Sequence, residues 1–155
     1  SFAILLNFPR HNKMKGMGQI ITWSVRDETL HCNSMIRLFK EFINEKPEIW
    51  TPKLKKEIYE ACRTIISHED SFINLAFQQG PIEGLTSKEI KDYIRWIGNR
   101  RLVQLGLEPI YKIDKNPLSW LDTMLNAVEY MNFFEGRATE YSKASTKGTW
   151  TEAFS

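Results

Sequence analysis

Apolar residues recur every three or four positions over most of this chain, which is a helical period, and no alternating stretch is long enough to predict a strand. The chain opens on the apolar run FAILL, and residues 1–8 read as the tail of a buried helix that stops at Pro9. A polar turn, PRHNKMKG, follows. Residues 14–44 then carry Met17, Ile20, Ile21, Val25, Met35, Leu38, Phe39 and Phe42 at helical spacing, predicting one helix of roughly 45 Å with these side chains inward. Glu45-Lys46-Pro47 ends it.

Thr51-Pro52 pairs an N-cap with proline at the first helical position and predicts a helix to Gln79, with Leu54, Ile58, Ala61, Ile65, Phe72 and Phe77 inward. Gly80-Pro81 stops it. Thr86-Ser87-Lys88-Glu89 is a capping-box signature for a helix to Leu105, closed by Gly106. Asn116-Pro117 precedes a short helix over residues 118–131. Beyond Asn132 the period is lost, and residues 136–149 are rich in Gly, Ser, Thr, Lys and Ala. The pattern predicts an all-α bundle with a flexible tail.

Composition narrows the function classes. The chain has 155 residues, 42% hydrophobic and 26% charged, as expected of one soluble domain. A net charge of +2 makes no bulk electrostatic case for nucleic acid or an anionic membrane. FAILL is far too short to span a bilayer. Cys32 and Cys62 have neither metal-ligand spacing nor scaffold density, which suits a reducing cytosol. No basic leader precedes the apolar run, so no signal peptide is expected. The missing initiator Met and the abrupt helical start predict a fragment or a partly observed protein.

The chemistry concentrates in SVRDETLHC, residues 24–32. On a helix Ile21, Ser24, Glu28 and His31 share one face, and Asp27 stands four residues before His31. A carboxylate and an imidazole one turn apart converge on a point beside the helix, and that donor pair suits iron or manganese. Glu-x-x-His is known from dinuclear carboxylate bundles. With 14 Glu and 3 His in the chain the bare motif is weak, and on the motif alone a solvated ion-pair face is the stronger reading. The apolar run GQIITWSV before it argues for the buried alternative. His11 lies in a basic turn, and His68-Glu69-Asp70 fan around a helix, so both read as solvated or ion-paired. No phosphate loop, catalytic triad order or zinc cysteine pair is present in the sequence.

RDETLHC, preceded by NKMKGMGQIITWS and followed by NPLSWLD, NFFEGRATEY and the terminal WTEAF, resembles the small subunit of class I ribonucleotide reductase. The similarity covers essentially the whole chain and corresponds to the C-terminal half of that family. It implies that residues 1–135 are part of a ferritin-like helical bundle and residues 136–155 a tail that docks on the large subunit. It implies a dinuclear iron or manganese centre that activates oxygen, and a radical passed to the large subunit for nucleotide reduction. It also implies a cytoplasmic homodimer that binds neither nucleic acid nor membrane.

By the same resemblance Glu28 and His31 are metal ligands, and Asp27 is the aspartate that hydrogen-bonds a metal-bound histidine. Phe2 and Ile21 belong to an apolar pocket around the radical, from whose usual bulky residue Ser24 departs. Tyr141 relays the radical, and Trp150 and Phe154 anchor the tail. The family's other four ligands and its radical tyrosine would precede Ser1. Another two-metal carboxylate oxidase or iron-binding bundle is the alternative, which a docking tail disfavours. A metal-free helical interaction domain is a third reading.

Overall fold

The computed structural model describes residues 2–129, with side chains through residue 125. Five α-helices follow in order: α1 (Phe2–Arg10), α2 (Lys15–Glu45), α3 (Pro52–Gln78), α4 (Ser87–Gln104) and α5 (Ser119–Glu129), with a 3-10 turn at Pro47–Ile49 before α3. Among the described residues there is no strand, only an isolated antiparallel bridge between Ile82 and Leu85.

Local signals set most boundaries. The Thr51 hydroxyl accepts from the Leu54 amide at 3.2 Å, capping α3 with Pro52 inside it. At α4 the capping box is complete: Thr86 Oγ1 accepts from Glu89 N at 3.2 Å, and Glu89 Oε2 accepts from Thr86 N at 2.9 Å. Gly106, at φ 81°, closes α4 in the left-handed conformation that glycine adopts without strain. Asn116 sets the entry to α5, accepting from Leu118 N at 2.8 Å and donating to Asp122 at 2.6 Å.

Pro9 does not stop α1, which runs one residue further. Proline in the last turn removes a single backbone bond, and the carbonyls of Phe8 and Pro9 are satisfied by His11, Asn12 and Lys13 in the following turn. That turn uses left-handed backbone at Asn12 and Met14.

The core gathers Ala3, Ile4 and Leu6 of α1, Ile73 of α3, Leu85, Ile90 of α4, and Leu118 and Leu121 beside and within α5. Ile21 and Val25 of α2 pack against it. Small residues allow close approach at two crossings. A Cβ at Gly18 would lie 2.5 Å from Pro9 Cγ, and one at Gly98 would lie 2.9 Å from Ile66 Cδ1.

Two predicted faces are corrected. On α2, Ile20, Met35, Leu38 and Phe42 are exposed, and the buried positions are Gly16, Gly18 and Thr22, where α1 crosses. Along the later turns of α2 the 3-10 turn and the end of α4 come close. On α3, Ile66 and Ile73 are buried while Ala61, Ile65 and Phe72 are exposed, because α4 covers the stripe one residue round from the expected one.

Candidate metal centre

Asp27, Glu28 and His31 all project from the middle of α2, where an unbroken helix fixes their relative positions. His31 Nδ1 lies 3.8 Å from Glu28 Oε2, and His31 Nε2 lies 3.7 Å from Asp27 Oδ1. The imidazole therefore turns a different nitrogen to each carboxylate. Neither distance is a hydrogen bond, so the nitrogen facing Glu28 is left available as a donor to something else.

These side chains are open. Asp27, Glu28 and His31 are 62–65% exposed, so the expectation that Glu28 and His31 point into a covered interior does not hold in this chain. The described helices pack against the first turns of α2 and leave this stretch bare. Ser24 and Ile21, one and two turns earlier, are half-buried, and Phe2 is 41% exposed.

The donor set fits part of a metal site. Glu28 and His31 would hold a metal between them, since carboxylate oxygen and imidazole nitrogen are donor types that iron and manganese take. Among the described residues, however, no three His, Cys, Asp or Glu side chains gather around one point. Tyr141, Trp150 and Phe154 lie outside the described residues.

Of the other candidates only His68 is solvated as expected; the His11 side chain is just 25% exposed, with its Nε2 buried, and Asp70 is 25% exposed. His11 sits 3.7 Å from Glu83, whose carboxylate is held below its ordinary range by the hydrogen bond and charge of Lys13. His68 is exposed, and Asp70 is engaged by Arg95. That pair was not visible in the sequence, since its members are 25 residues apart on different helices. Burial raises the Tyr93 phenol and the Cys62 thiol, and neither group adjoins Glu28 or His31 in the chain. A cleft of about 320 Å³ between α4 and residues 109–114 takes no residue from α2 and has no bearing on this centre. No helix among the described residues is long and apolar enough to cross a membrane.

The profile of the ribonucleotide reductase small chain matches residues 1–117. A probable ribonucleoside-diphosphate reductase small subunit of Invertebrate iridescent virus 3 is 48% identical over 97% of the chain, and the match takes 40% of that protein. The ribonucleoside-diphosphate reductase subunit beta of Chlamydia pneumoniae is 38% identical over 92% of the chain and 41% of its own length. Among solved structures, a ribonucleotide reductase subunit from Clostridium botulinum superimposes with a TM-score of 0.75 at 31% identity, covering 80% of this chain and 39% of that one. The chain belongs to the ribonucleotide reductase small-chain family, and its helices are part of a ferritin-like bundle. It spans about 40% of the length of these relatives.

Proposed function

We propose that this family member is the metal-ligand and tail portion of a ribonucleoside-diphosphate reductase small subunit, supplying two ligands to a dinuclear centre. The observation that carries the reading is the Glu28–His31 pair, one turn apart on a long helix in a chain of this family. When bound, two irons, two manganese ions or one of each would supply the oxygen chemistry that generates a radical for the large subunit.

Glu28 would bind through its carboxylate and His31 through Nδ1, the nitrogen that already faces Glu28. Asp27 would accept a hydrogen bond from a ligand imidazole, fixing its tautomer and ring orientation. The remaining ligands would come from helices that the full-length relatives have in addition, packed on the bare stretch of α2. Those helices would also desolvate Glu28 and His31, which matters because a wet site would quench a radical.

Residues 136–155 would serve as the docking segment. Tyr141 can lose one proton and one electron to become a neutral radical, then recover both, which is what a relay between subunits requires. Trp150 and Phe154 would anchor the segment on the large subunit. The subunit would work as a cytoplasmic homodimer.

Reductase activity of full-length subunits, titrated with the large subunit, separates these roles. Tyr141→Phe should abolish activity while leaving metal content and association intact. Trp150→Ala and Phe154→Ala should weaken association by about 2 kcal/mol or more each, with activity recovering at high large-subunit concentration. An active Tyr141→Phe subunit ends the relay, and unchanged affinity in both anchor variants ends the docking role.

A further inference from the structure

We propose that the Ser24 hydroxyl is the hydrogen-bond donor that positions the Glu28 carboxylate as a metal ligand. This role rests on the proposed ligand roles of Glu28 and His31. On α2 the three residues stand at i, i+4 and i+7 along one face.

A helical side chain leans toward the helix N-terminus and covers the turn before its own Cα. His31 shows that lean, with Nδ1 3.8 Å from Oε2 of Glu28 one turn back. Glu28 leans in the same sense toward Ser24 and Val25, whose Cβ atoms lie about 5–6 Å from its own. Of these two only Ser24 carries a side-chain donor. On its other side Glu28 meets His31, the proposed co-ligand, and Cys32, whose thiol is a weak donor.

The Ser24 hydroxyl is also uncommitted. Other hydroxyls inside these helices donate back to the carbonyl four residues earlier: Thr22 to Gly18 at 2.8 Å, Thr29 to Val25 at 2.7 Å and Ser71 to Ser67 at 3.0 Å. Among the described residues Ser24 makes no such bond to Ile20. Its base is firm, because Ile21 and Val25 on either side of it pack against the core. Ser24 is half-buried, whereas Glu28 is 62% exposed.

A carboxylate that gives one oxygen to a metal has a second oxygen to satisfy. Oε2 already faces His31, so Oε1 is the atom that needs a donor. Water can serve while Glu28 is open. Once further helices cover this stretch, an oxygen without a donor is costly, and Ser24 is the α2 hydroxyl placed to supply one. That bond would fix the rotation of the carboxylate and hold Oε2 on the side where His31 Nδ1 waits.

Manganese titration of metal-free, full-length subunits carrying this chain provides the test, with free ion read by electron paramagnetic resonance. Ser24→Ala should bind manganese about tenfold more weakly than the parent. Glu28→Asp withdraws the carboxylate by one methylene, out of reach of Ser24, so adding Ser24→Ala to it should weaken binding no further. The thermal midpoint of the metal-free subunit should not fall in Ser24→Ala, since alanine is the better helix former. Unchanged affinity in Ser24→Ala overturns the proposal, as does an equal loss in the parent and Glu28→Asp backgrounds. A tenfold loss accompanied by a lower metal-free midpoint assigns Ser24 to packing and overturns it too. Full manganese binding by Glu28→Ala would overturn the ligand reading and this inference together. Metal loss in Glu28→Ala with no effect of Ser24→Ala overturns this inference alone.

Discussion

Asp70 and Arg95 meet as a two-pronged pair between α3 and α4, with Nη1 to Oδ1 at 2.9 Å and Nη2 to Oδ2 at 2.6 Å. Both side chains are about three-quarters buried, at 25% and 26% exposure, and the hydrogen bonds from Asp70 hold the guanidinium pKa above its ordinary value. Removing one partner strands a half-desolvated charge. Asp70→Ala should therefore cost about 2 kcal/mol, between the values typical of exposed and fully buried pairs. In urea unfolding the midpoint should fall with the slope unchanged.

Gly18 faces Pro9 where α1 crosses α2. A methyl group there would sit 2.5 Å from the Pro9 ring, which has no flexible end to move aside. Gly18→Ala should destabilise by about 1–3 kcal/mol despite alanine's better helix propensity. Gly98→Ala should cost less, because its nearest neighbour is the movable end of Ile66. Thermal unfolding of both variants checks the order.

Glu89 carries a pH dependence. Hydrogen bonds from the Thr86 hydroxyl and amide hold its carboxyl below the ordinary 4.5. A lowered folded-state pKa contributes stability above the unfolded value and loses it as pH falls through the folded one. Glu89→Ala should cost about 1 kcal/mol at pH 7. The gap from the parent protein should narrow below pH 4.5, as urea midpoints measured from pH 7 to pH 3 would reveal.

Which parts of this were legible in the sequence follows from the range of the interactions. Thr51, Thr86 with Glu89, Gly106 and Asn116 act within a few residues, so the helix ends they set could be read directly, whereas Pro9 misplaced the end of α1. The buried faces could not. Ile65 and Ile66 are adjacent and equally apolar, and periodicity does not say which one α4 covers. Gly18 and Gly98 read as weak helix formers, yet each marks a crossing. The spacing of Glu28 and His31 showed that they converge, because an α-helix fixes that relationship. Their exposure was not legible, since it depends on what packs on α2 rather than on α2 itself.

The central claim is that Glu28 and His31 bind metal. Its most direct test is the iron and manganese content of a dialysed full-length subunit carrying this chain, compared with its Glu28→Ala and His31→Ala variants. On this assignment each change removes a ligand, so each variant should lose most of its metal while its far-ultraviolet helical signal stays intact. Full stoichiometric metal in either variant would contradict the assignment.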